Sequence, residues 1–314
     1  MAKRGKLYMC LPGIADLITL LAVGVPLGIV YNTARPAHTG FFCDDHSIQL
    51  PYKRPIVPMN MLIGVGIFVP FAIIIFIDIF STQFCAKRPK PSCLSSWLQV
   101  ARVIGFFAFG GLLCFALTEV GKLTVSKHRP HFFDVCKPNH TEADCAKGYV
   151  NIYTCTGTRP SILIEDASKS FPSGHAAYAT FAAVFLILYV EVRLNIQYTF
   201  SRYLKIYVQI PILILGLICS FSRVADHHHH YSDVYVGMLL GLVMGVWVFV
   251  RMNQSTTIGK PLTWMGLDPH QRAASQEQQS EQHSHSHPEA TYQNKDSLVN
   301  CNHDNEIEKA ENVV

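Results

Sequence analysis

Residues 172–194 read PSGHAAYATFAAVFLILYVEVRL, a polar turn running without a break into an apolar stretch. Ser173 is a natural helix N-cap, and Gly174 lets a backbone approach another group closely. The apolar residues from His175 to Leu194 are enough to cross a bilayer as a helix. The stretch therefore predicts a helix that begins at a membrane surface. Its free N–H groups and positive dipole end would make an anion pocket there.

Working outward, further apolar runs lie at about 10–31, 57–80, 97–120, 205–221 and 233–251. The 314 residues are 49% hydrophobic and only 15% charged, with a mean hydropathy of +0.21. A soluble domain carries about 25% charged residues. These features predict an all-α membrane protein with six transmembrane helices over residues 1–252. Residues 253–314, rich in Gln, Ser, Asn, His, Glu and Asp, form a polar tail that buries too little to order itself, and it is read as a disordered cytoplasmic tail. His283, His285 and His287 in it could bind a metal, but a solvated tail is the simpler reading. The first apolar run is read as a span, because it is long and lacks a small-residue cleavage site.

The net charge of +4 is modest and scattered, which argues against nucleic acid. Basic clusters (Lys3, Arg4 and Lys6; Lys87, Arg88 and Lys90; Arg193, Arg202 and Lys205) predict cytoplasmic termini. The loop 121–174 opposes this with seven basic residues, at least two of which are site candidates. Asn139-His140-Thr141 in that loop is a glycosylation triplet; Asn253-Gln254-Ser255 is another, on the cytoplasmic side. Cys43, Cys136, Cys145 and Cys155 fall on the outer side, an even number, with their pairing open. Cys10, Cys85, Cys93, Cys114, Cys219 and Cys301 fall in membrane or cytosol. Asp16 and Asp78 lie near span ends and are read as interfacial. Pro26, Pro70 and Pro211 kink or flank spans.

Three fragments carry chemistry. Lys122-x6-Arg129-Pro130 follows the third span. Lys122 and Arg129 share a face if the helix continues, and Pro130 marks its stop. Arg129 offers a fork for phosphate oxygens and Lys122 a point charge, with interfacial snorkelling as the plainer reading. Glu119 is placed to pair with Lys122; Lys127 and His128 are read as local surface. Pro172-Ser173-Gly174-His175 adds a cap, amides and a histidine able to give a proton. Ser222-Arg223-x5-His229-x3-Asp233 lies between the last two spans. Arg223 is a third clamp, and the i to i+4 spacing of His229 and Asp233 would let the carboxylate orient the imidazole as a nucleophile. That spacing picks His229 from the run His227–His230, for which no zinc partner set is evident. Two crossings separate the loops, so all three fragments share one membrane face.

Together these fragments resemble the phosphatidic acid phosphatase type 2 superfamily, and more narrowly its integral-membrane lipid phosphate phosphatases. The strings Arg129–Cys136, Phe171–Tyr178 and Ser222–Gly237 carry the likeness, which spans the six-helix body and not the tail. No motif residue is missing, unlike in the catalytically silent relatives. The resemblance implies that His229 attacks phosphorus and forms a phosphohistidine, that Asp233 orients it, and that His175 protonates the leaving oxygen and then helps activate water. It assigns Lys122, Arg129, Arg223 and the Ser173-Gly174 amides to phosphate binding, with no metal and no cofactor. It implies a bilayer-borne lipid phosphate substrate (phosphatidate, lysophosphatidate, sphingosine 1-phosphate or ceramide 1-phosphate), a place in phospholipid metabolism and signalling, and room for a homo-oligomer. The expected setting is the plasma membrane with the site extracellular, or luminal in endomembranes. A related phosphotransferase or diphosphatase, or a non-catalytic lipid-binding scaffold, is the alternative.

Overall fold

A computed structural model describes residues 2–84, 93–146, 148–194 and 199–256. The six long helices are α1 (Ala2–Thr33), α2 (Met59–Phe84), α3 (Cys93–Val125), α7 (Gly174–Arg193), α8 (Thr199–Ala225) and α9 (Tyr231–Thr256). Short helices α4 (Phe132–Cys136), α5 (Glu142–Ala146) and α6 (Ser161–Asp166) fill the loop between α3 and α7. Strands β1 (Phe41–Phe42) and β2 (Tyr149–Val150) pair antiparallel.

Five helices, α2, α3, α7, α8 and α9, contain stretches long and apolar enough to cross a membrane. In α1 the apolar part whose side chains are described, Ile18–Thr33, is shorter. The chain is thus a mostly helical, multi-pass membrane protein. Pro26, Pro70 and Pro211 lie within α1, α2 and α8. The side chains of Asp16, Cys10 and Cys93, and all of Cys85, Cys301, His283, His285 and His287, lie outside the described residues, as does the tail beyond Thr256.

The central helix is α7, which is mostly buried, whereas α8 shows most of its surface. Phe107 of α3 packs against Phe181 and Phe185 of α7, with ring centroids 5.3 Å apart in both pairs. On α9, Gly237, Gly241 and Gly245 recur every fourth residue and face α7. A Cβ on Gly237 would lie 2.5 Å from the Ser173 carbonyl oxygen, and one on Gly245 3.0 Å from Val184 Cβ. Small residues at this spacing let two backbones close where lipid offers no hydrophobic drive for association. Asp78, two residues from the end of the apolar stretch of α2, is buried and pairs with Arg193 at the end of α7. A buried carboxylate needs such a partner.

A second apolar cluster lies outside the spans. Phe41, Ile48, Phe132, Val135, Val150 and Ala167 join the 34–58 segment to the 126–173 loop. Disulfide Cys43–Cys145 ties the same two segments and Cys136–Cys155 closes within the 126–173 loop, so the four cysteines form two pairs. Among the described residues, Cys114 and Cys219 are free.

Candidate active site

The helix α3 stops at Val125, four residues short of Arg129. Ser126 takes a left-handed conformation (φ 45°), its N–H donates to the Lys122 carbonyl, and its hydroxyl to that of Leu123. This αL stop satisfies carbonyls of the last turn. The helix does not continue to Arg129, so the condition for Lys122 and Arg129 to share a helical face is not met: Arg129 returns on a loop, its N–H held by the Ala167 carbonyl at 2.8 Å. Lys122 is buried and pairs with Glu119 at 2.6 Å, as the i, i+3 spacing predicts.

Ser173 caps α7, its hydroxyl accepting from the Ala176 N–H at 3.4 Å. A Cβ on Gly174 would lie 3.6 Å from Lys122 Nζ, so the ammonium stands beside the turn whose amides open the helix. His175 is buried, and its Nε2 meets the Val57 carbonyl at 3.1 Å.

Arg223 closes α8 and is 2% exposed. Its Nη1 donates to Asp226 Oδ2 (3.0 Å) and to the Val57 carbonyl (3.1 Å). Arg129 donates through Nη2 to Asp166 Oδ1 at 2.8 Å. In both arginines Nε is buried and meets no acceptor among the described residues. A buried donor without a partner costs about 1–3 kcal/mol, so each guanidinium retains capacity for an anion. Burial works against the Asp166 carboxylate, but Arg129 and then Lys122 outweigh it and hold it below the usual range.

His229 sits before α9, which starts at Tyr231. Its Nδ1 meets the Ser170 carbonyl at 2.6 Å. A carbonyl only accepts, so Nδ1 carries the proton and Nε2 the lone pair. Burial first, and then Arg129, Arg223 and Lys122, push the ring well below its ordinary 6.5, against the pull of the Ser170 bond. The ring is thus kept neutral, as a nucleophile must be. The same cations around one imidazole place the clamps of the first and third fragments near it.

Asp233 departs from its expected contact. The i to i+4 argument needs both residues on one helix, and His229 precedes the helix. As the third residue of α9, Asp233 instead reaches back to the His230 N–H at 3.1 Å, a capping-box geometry. Its carboxylate also accepts from Ser170 Oγ (2.6 Å), Lys127 Nζ (2.8 Å) and Ser232 Oγ (3.2 Å), and Oδ2 meets His230 Nδ1 at 3.1 Å. Lys127 is therefore no mere surface residue. Neither is His128, which is buried, stacks on Phe132 at 3.9 Å and bonds the Thr39 carbonyl at 3.0 Å.

The structure thus brings Lys122, Arg129, Ser173, Gly174, His175, Arg223, His229 and Asp233 to one end of the bundle. Two loops do not suffice, because the 34–58 segment also enters: Val57 meets His175 and Arg223, and Ile56 N–H donates to Asp226. Sequence reasoning missed Ser170, Asp166, Asp226 and Val57. Asp226 had a signal in its i+3 spacing from Arg223; the other three meet the site only through folding. Asn139 lies apart, exposed, its N–H bonded to the Thr154 carbonyl.

Residues 99–257 match the model of the PAP2 superfamily. The chain is 31% identical over 247 residues to phospholipid phosphatase 1 of Mus musculus, covering 77% of this chain and 85% of the relative. It is 30% identical over 243 residues to phospholipid phosphatase 1 of Rattus norvegicus (76% and 84%), and 30% over 230 residues to phospholipid phosphatase 2 of Bos taurus (73% and 78%). No solved structure matches the chain. With half of its length on the family model and relatives matched over most of theirs, the chain belongs to the PAP2 superfamily.

Proposed function

We propose that this membrane phosphatase removes phosphate from lipid phosphates through a phosphohistidine at His229. The observation that carries the proposal is one neutral, buried imidazole, pinned at Nδ1, among three cationic side chains and a capped helix start. His229 Nε2 would attack phosphorus while the bond to the lipid oxygen breaks. The departing oxygen would take its proton from His175. Water would then attack the phosphohistidine, passing a proton to His175, and the P–N electron pair would return to His229. Acid catalysis of this kind contributes roughly 10²–10⁴-fold. Lys122, Arg129, Arg223 and the Gly174 amide would hold the phosphate oxygens, work that preorganised charge performs without a metal, while the Ser173 N–H is taken by the Asp233 carbonyl at 3.0 Å. The Val57 carbonyl, which accepts from both His175 and Arg223, marks where an acid and a clamp converge on a single oxygen.

Phosphatidate, lysophosphatidate, sphingosine 1-phosphate and ceramide 1-phosphate all fit a site at the end of an apolar bundle, since their chains stay in the bilayer. The relatives' names, phospholipid phosphatase, favour this class over a diphosphatase, a phosphotransferase or a scaffold. We further propose α1 as a sixth span, both termini cytoplasmic and the site outside the plasma membrane or luminal. Two disulfides and exposed Asn139 at the site end support that orientation. Phosphate release from phosphatidate in detergent with EDTA tests the reading, comparing wild type with His229→Ala and His175→Ala. Activity is expected in wild type and near-background release in both variants. A requirement for added Mg²⁺, or survival in His229→Ala, would overturn it.

A further inference from the structure

Ser170 has no exposed surface, and all three of its polar groups are engaged with the other two fragments. Its N–H donates to the Lys127 carbonyl at 2.9 Å. Its hydroxyl donates to Asp233 Oδ2 at 2.6 Å, and its carbonyl accepts from His229 Nδ1 at 2.6 Å. Lys127 closes the ring of contacts through Nζ to Asp233 Oδ1 at 2.8 Å. We infer that Ser170 is a positioning residue through which Asp233, anchored by Lys127, orients His229. The inference rests on His229 being the nucleophile.

The chemistry favours this indirect arrangement over a direct carboxylate–imidazole pair. A carboxylate on Nδ1 would stabilise the imidazolium and so raise the fraction of ring unable to attack. A neutral carbonyl fixes the same tautomer with a much weaker pull toward the cation. The direction of that carbonyl then decides where Nε2 points. Two bonds set the direction: the N–H of Ser170 on the Lys127 carbonyl and its hydroxyl on Asp233. Asp233 is itself held at a helix start by the His230 N–H, so its position is as rigid as the first turn of α9. Removing the hydroxyl leaves the carbonyl in place chemically but frees the peptide to rotate.

The test is kcat and KM for phosphate release from phosphatidate in micelles, with inhibition by orthovanadate as a readout of the phosphate clamps. Ser170→Ala is expected to lower kcat by about 10- to 100-fold, the scale of a misdirected reacting atom, with KM and vanadate inhibition within about threefold of wild type. In an Asp233→Asn background the same substitution should lower kcat by less than about threefold, because the path it breaks is already broken. Lys127→Met, at a side chain 36% exposed, provides a second variant should Ser170→Ala not fold, and is expected to show the same split between kcat and KM. Undiminished kcat in Ser170→Ala, or in Lys127→Met where that variant alone folds, overturns the inference, as do fully multiplicative effects of Ser170→Ala and Asp233→Asn. An active His229→Ala would instead overturn the nucleophile assignment itself, which separates the two failures.

Discussion

Substituting Gly237 by alanine should impair catalysis from a position that touches no substrate. A Cβ there would lie 2.5 Å from the Ser173 carbonyl oxygen, 3.2 Å from Ala176 Cβ and 3.3 Å from the Ala177 nitrogen. Ordinary contact starts at 3.4 Å, so the first turns of α7 and α9 must part by the difference, about 0.9 Å. Two of the three neighbours are backbone atoms, which cannot rotate away. The same movement stretches the 3.0 Å bond from the Ser173 N–H to the Asp233 carbonyl. It therefore separates the cap, amides and His175 from His229 and Asp233. A misplacement of about 1 Å costs on the order of 10²-fold in rate, while overpacking costs the fold about 1–3 kcal/mol. The assay is kcat for phosphate release beside the thermal midpoint in detergent. Gly64→Ala and Gly105→Ala, where a Cβ meets nothing within 4 Å, serve as controls and should stay near wild type. A Gly237→Ala enzyme within about threefold of wild-type kcat would refute the argument that helix approach sets the site.

Three further outcomes are expected. His131 is held near 3 against an ordinary 6.5, by burial first and then by Arg129 and His228. Its folded value lies below its unfolded one, so its contribution is complete above 6.5 and is lost as pH falls toward 3. At pH 5 the loss is about 2 kcal/mol, and His131→Asn should flatten the fall in thermal midpoint between pH 7 and pH 5; equal slopes in both proteins would contradict this. The Cys43–Cys145 bridge spans 102 residues and Cys136–Cys155 spans 19. Chain-entropy loss predicts about 5 and about 3 kcal/mol, so Cys43→Ser should lower the denaturant midpoint more than Cys155→Ser. Glycosidase should shift the mobility of wild type expressed in a secretory system but not that of Asn139→Gln; an identical shift in both would remove that support for an outward-facing site.

How much could be read from the chain alone divides along contact range. Five of the spans were legible because composition and length suffice, and the four disulfide cysteines because all of them fall in loops between apolar runs. Glu119–Lys122 and the Ser173 cap were legible because both are local, three residues apart on one helix. His229 was chosen by a helical spacing, yet the capping box of Asp233 on His230 starts α9 one residue after His230. That local stop decided which partner the imidazole met, and no period reveals it. Arg129 with Asp166, Ser170 with Asp233, and Val57 with His175 and Arg223 are set by the packing of three loops, over separations of 37 to 166 residues. The stripe Gly237, Gly241, Gly245 stood in the sequence as a signal for close helix approach, and its meaning emerged only once α7 was seen against it.

The central claim is covalent chemistry at His229. Rapid acid-free quenching during turnover of phosphatidate labelled in its phosphate, followed by peptide mapping, tests it most directly. The account predicts an acid-labile, alkali-stable phosphopeptide that contains His229 and is absent from His229→Ala. It also predicts that His175→Ala slows both formation and breakdown of this species. Label on another residue, or turnover with no phosphoenzyme in wild type and normal release in His229→Ala, would contradict it.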